Sequence, residues 1–145
     1  FEALPFDNRL ATVRIGGAAL RRLLARNLST ARGVLSISGA RVEARCRGSE
    51  LAVAIALADG RTVEDGGRYT IGTTDFLALG GDDFGELELG AGAVTIDDGA
   101  ILRDIVAAGL AKLGGVVRGG DPRWFDPAHR RLDLPHARPV ACSAR

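Results

Sequence analysis

Gly72-Thr73-Thr74-Asp75-Phe76-Leu77-Ala78-Leu79-Gly80-Gly81-Asp82-Asp83-Phe84 decides how the rest of the chain is read. The β-type run Arg68–Gly72 feeds into it, and the pair Gly80-Gly81 breaks it. Glycine reaches positive φ and lets the backbone come close to another group, so the pair predicts a tight turn that delivers Asp82. One aromatic ring, Phe76, and one carboxylate, Asp82, are then presented from a loop mounted on a strand.

Upstream, Glu50–Leu57 alternates Leu51, Val53, Ile55 and Leu57 with smaller residues. Arg41–Arg47 alternates Val42, Ala44 and Cys46 with Arg41, Glu43, Arg45 and Arg47. Period-two alternation predicts strands buried on one face, and Gly48-Ser49 closes the two into a hairpin. Arg9–Ile15 is a predicted strand on the same ground, ended by Gly16-Gly17, and Val34–Ile37 is a short one turned by Ser38-Gly39. Ala18–Leu28 carries Leu20, Leu23, Leu24 and Leu28 on one stripe, with Arg21, Arg22 and Arg26 off it. That is an amphipathic helix with solvated arginines.

Downstream, Asp97 or Asp98 is expected to cap a second helix over 99–113. Leu102, Ile105, Val106, Leu110 and Leu113 would form its buried stripe, and Gly114-Gly115 its end. Arg131–Leu134 is the expected last strand. The predicted fold is α+β: a mixed, largely antiparallel sheet with two main helices packed on it.

A chain of 145 residues is long enough for one domain with a core, and 46% hydrophobic with 26% charged residues is a globular composition. A net charge of +1, with arginines scattered rather than collected, argues against a nucleic-acid partner. No apolar run approaches the roughly 18 residues of a membrane span, and no signal peptide is visible. Phe1-Glu2-Ala3-Leu4 opens inside what reads as an element, so further residues are expected to precede it. Cys46 and Cys142 lack metal-ligand neighbours. Two buried free thiols are the expectation, because free cysteine is among the most buried residue types. A long-range disulfide, the other reading, would point to an extracytoplasmic setting.

A flat ring beside a carboxylate suits a nucleoside: the base stacks and the sugar hydroxyls donate to the carboxylate. On residue type alone, Phe6 and Phe76 are ordinary core rings. Asp82, on the same ground, is a turn aspartate bonding its own backbone. The opening stretch, however, resembles the signature Asn-Phe-x-Ala-x-Gly-Gly-Asp-Gly-aromatic near the end of the 5′-nucleotidase C-terminal domain. Leu4-Pro5-Phe6-Asp7-Asn8-Arg9-Leu10-Ala11-Thr12-Val13, followed by Gly17 and a helix, resembles a second piece of that family. Gly33-Val34-Leu35-Ser36-Ile37-Ser38-Gly39 resembles a third, and the three stand in the family's order across Phe1–Phe84.

The resemblance implies that Phe6 and Phe76 clamp a base, that Asp82 accepts from the ribose hydroxyls, and that Gly33 offers backbone near the base. Asp75 stands where the family usually has Asn, and an ionised carboxylate only accepts where an amide also donates. A contact from Asp75 to the base would therefore alter base preference. Asp83 replaces the usual Gly, adding a charge and costing backbone freedom.

The resemblance further implies a periplasmic, secreted or cell-surface 5′-nucleotidase, or a related UDP-sugar or cyclic-nucleotide hydrolase. In that family a separate N-terminal metallophosphoesterase domain holds two divalent metal ions and cleaves the phosphate ester. This chain has no Asp-x-His, no Gly-Asn-His-Asp/Glu run, and no Asn-Gly-Gly-Gly-Ile-Arg segment. His129 and His136 stand in a Pro-rich tail and make no ligand pair. Asp82-Asp83 and Asp97-Asp98 are adjacent pairs, which rarely converge on one ion.

The expectation is one nucleoside-binding domain over 1–145, with a Gly/Pro/Arg-rich extension at 116–145 that Trp124 and Phe125 anchor. Its partners would be a nucleoside or nucleotide and the N-terminal domain. It would have no cofactor or catalytic residue of its own. The alternative is a stand-alone or degenerate nucleoside-binding or protein-interaction module without hydrolase activity.

Overall fold

Two three-stranded sheets carry the chain in the computed structural model, which describes residues 6–33, 35–121 and 130–143. Val34, Trp124, Phe125 and His129 lie outside the described residues. In the first sheet β1 (Arg9–Gly16) runs between β4 (Arg68–Thr74) and β5 (Val94–Ile101), antiparallel to both. In the second, β2 (Ala40–Arg47) pairs antiparallel with β3 (Glu50–Leu57) and parallel with the short β6 (Leu132–Asp133). Helix α1 (Gly17–Ser29) leaves β1 directly, the short α2 (Asp75–Ala78) leaves β4, and α3 (Leu102–Lys112) leaves β5. The fold is α+β and mostly antiparallel, as the patterning predicts.

Burial follows the alternation. Leu24 and Leu28 of α1 pack with Val42 and Ala44 of β2, Val53 and Ile55 of β3, and Val63. A smaller cluster joins Ala11 and Val13 of β1 to Ala78 of α2, with Ile71, Leu89, Val94 and Ile96 against it. Arg14 of β1 and the arginines of β2 fall on the opposite, solvated faces, and Arg9, at the start of β1, is exposed as well.

Four expectations are corrected. Asp97 and Asp98 do not cap a helix, because Val94–Ile101 is strand and the helix begins only at Leu102. The β-branched run Val94-Thr95-Ile96 favours pairing with β1 over helix. Asp97 instead accepts from Gly99 N at 3.1 Å, and Asp98 pairs with Arg9 at 2.8 Å. The apolar stripe of α3 is not buried: Ile105, Val106, Leu110 and Leu113 are all exposed. Leu35–Ile37 is not a strand. The side chain of Asn27 takes up backbone groups there that a ladder would need, accepting from Leu35 N and donating to the Gly33 carbonyl.

The cysteines are not free thiols. Cys46 and Cys142 form a disulfide with Cα atoms 5.5 Å apart, across 96 residues of sequence. Alternation places Cys46 on the core face of β2, but that end of the strand runs past the core and Cys46 is exposed. The returning tail supplies its partner. Val140 is buried and donates from its N–H to the Leu28 carbonyl at 2.9 Å. The Arg138 guanidinium caps the end of α1, donating to the carbonyls of Asn27, Thr30 and Arg32. Arg45 holds β6 to β2 through Asp133 at 2.5 Å.

Candidate functional site

The strand register brings the segments that carry four of the predicted site residues, Phe6, Asp75, Phe76 and Asp82, to one end of the first sheet. Leu10 stands opposite Thr74, and Arg9 opposite Ile101, so β1 starts where β4 and β5 end. Phe6 precedes β1 at that edge, while Asp75, Phe76 and Asp82 follow β4 there. Helix α1 starts from the far end of β1 and touches the 3₁₀ turn Asp82–Glu86. Neither ring is core: Phe6 is 70% exposed and Phe76 55%.

The opening stretch folds as three small devices. Thr74 caps α2, its hydroxyl accepting from Leu77 N at 3.2 Å. Asp75 accepts from Phe76 N at 2.8 Å, so one carboxylate oxygen is committed to the first turn of α2. The two glycines act for different reasons. Gly80 has φ of +107°, a conformation open to glycine. Gly81 has an ordinary φ of −62°, but a β-carbon there would stand 2.5 Å from the Phe76 ring. Its missing side chain is the bed on which that ring lies.

Asp82 then sits at φ of +49°, left-handed for a residue with a side chain. Asp82 is exposed, and among the described residues its carboxylate has no hydrogen-bond or ion-pair partner. The turn aspartate bonded to its own backbone is therefore not what forms. Phe84, 5% exposed, anchors the turn in the protein, with its N–H donating to the Gly81 carbonyl at 3.1 Å.

Phe6 is held by residues that sequence reasoning missed. Asp7 pairs with Arg103, and the Asn8 carbonyl accepts from Leu102 N at 2.8 Å. Arg9 pairs with Asp98 of β5 at 2.8 Å. The first turn of α3 and the end of β5 thus grip the segment that carries the ring. No local signal links residues so distant in sequence.

Gly33 follows α1, and its carbonyl accepts from the Asn27 side chain at 2.9 Å. Asn27 is a buried polar residue, 2% exposed, and closes the loop from inside. Asn27→Ala is expected to cost about 1–3 kcal/mol, because it removes two part-buried hydrogen bonds, to the Gly33 carbonyl and from Leu35 N. Urea unfolding checks this, with a lower midpoint at unchanged slope expected. Among the described residues no group of three or more His, Cys, Asp or Glu side chains is placed to hold a metal ion. No helix among them is long and apolar enough to cross a membrane.

Fold and loop together define a small α+β domain that presents two exposed rings and an unpartnered carboxylate from one end of a sheet. The chain belongs to the 5′-nucleotidase C-terminal domain family: the family model described as "5′-nucleotidase, C-terminal domain" matches residues 1–88, which include all five predicted site residues. Among solved structures, the 5′-nucleotidase precursor from Thermus thermophilus is similar at 25% identity and a TM-score of 0.70. That match covers 92% of this chain and 26% of the Thermus protein, so the chain spans about a quarter of that relative. Haemophilus influenzae NAD nucleotidase aligns at 27% identity and a TM-score of 0.47, over 59% of this chain and 18% of that one. No curated protein gives a significant sequence match.

Proposed function

We propose that this chain is the nucleoside-binding domain of a 5′-nucleotidase-type metallophosphoesterase. The supporting observation is that Phe6 and Phe76 are both exposed, at a sheet end that also bears the unpartnered Asp82. Two rings stack a base with little preference among bases, and the carboxylate accepts from the ribose hydroxyls. Asp75, with one oxygen free of the α2 turn, and the Gly33 loop complete the surroundings of the base. An N-terminal metallophosphoesterase domain with two divalent metal ions would supply the phosphate chemistry. This chain alone carries out no hydrolysis. The Cys46–Cys142 disulfide supports a periplasmic, secreted or cell-surface setting.

Calorimetric titration with adenosine, uridine and their 5′-monophosphates tests the reading, and binding of both nucleosides is the expected result. 2′,3′-Dideoxyadenosine is expected to bind about 10- to 150-fold more weakly than adenosine, from loss of hydrogen bonds to a charged acceptor. No heat with any nucleoside would overturn the proposal. So would robust phosphatase turnover by the chain alone with added Mn²⁺.

A further inference from the structure

The far end of the first sheet carries an opening of its own. An open cleft of about 460 Å³ lies between the ends of β1 and β4 and the turn over 90–93. Its polar lining includes Arg14, Arg68 and Thr70. Arg14 stands directly opposite Thr70, and Gly16 opposite Arg68. Residues two apart on a strand share a face, so Arg14 and Arg68 are diagonal neighbours on the solvated side, and Thr70 shares that face beside both.

The two guanidiniums are unequal. Arg14 is already aimed, its Nη2 donating to the Gly92 carbonyl at 2.6 Å, and its other N–H groups stay available. Among the described residues nothing pairs with Arg68. Among them, too, no carboxylate lines the cleft. Neighbouring like charges on a sheet face repel, and an oxyanion between them would turn that repulsion into charge-assisted hydrogen bonds. Planar guanidinium forks match phosphate and carboxylate oxygens.

We infer that Arg14, Arg68 and Thr70 form a binding site for an oxyanion, the phosphate or carboxylate of a small molecule. The site is distinct from the proposed nucleoside site. At about 3.3 Å per residue, Arg14–Gly16 lies roughly 15–20 Å along β1 from the edge that bears Phe6 and Phe76. The inference therefore stands whether or not a nucleoside binds at the other end.

The test is an amide and Arg Nε–Hε NMR titration of the full chain with sodium phosphate, sodium acetate, and sodium chloride at matched ionic strength. Saturable shifts confined to Arg14, Arg68, Thr70 and the turn over 90–93 are expected with phosphate or acetate, and not with chloride. The tighter of the two identifies the ligand class. Arg68→Gln is expected to weaken that binding at least tenfold while the remaining spectrum stays in place, and Phe76→Ala to leave it unchanged. Shifts that do not saturate, that chloride reproduces, or that survive Arg68→Gln intact would overturn the assignment.

Discussion

Phe76→Ala is expected to weaken nucleoside binding by about 5- to 150-fold, the equivalent of one lost stacking partner at roughly 1–3 kcal/mol. The ring is half exposed and lies on Gly81 rather than in the core, so thermal stability should change little. Affinity and stability thus separate, which a core ring would not allow. Gly81→Ala gives the companion result. A β-carbon there collides with the Phe76 ring, so the variant should lower affinity in the same direction although residue 81 offers a ligand no side chain. Calorimetry paired with thermal melts reads both. An unaltered affinity in Phe76→Ala would remove that ring from the site.

Replacing Cys46 and Cys142 together by serine is expected to cost about 2–4 kcal/mol of stability, because their bond spans 96 residues of sequence and so closes a long loop. The loss should reach α1, because the same tail places Arg138 on the α1 carbonyls and buries Val140 beside Leu28. Amide hydrogen exchange would show faster exchange at the end of α1 and in β2 than in β4 and β5. Unchanged stability on removing the bond would mean that the tail is held by packing alone.

What is legible in the sequence is local. The β2–β3 hairpin, α1 and the entry into the opening stretch follow from periodicity and turn residues within a few positions of each other. Gly80-Gly81 points to the loop, although only Gly80 uses a positive φ and Gly81 is needed for room. What is not legible depends on distant partners. Strand β5 exists because β1 offers it an edge, so Asp97 and Asp98 resemble helix caps without being caps. The stripe on α3 has helical spacing, but spacing does not say whether anything covers it. The alternation that suggests a core thiol at Cys46 continues past the end of the core, and only the returning tail supplies Cys142. Arg103 is connected with Phe6 by no pattern, yet its pair with Asp7 holds the segment carrying that ring.

The most direct measurement is a structure of this chain with adenosine bound, or intermolecular NOEs from the adenine protons. The base is expected between the Phe6 and Phe76 rings, with the ribose hydroxyls within hydrogen-bonding distance of the Asp82 carboxylate. Adenosine bound elsewhere on the domain, or contacting neither ring, would contradict the reading.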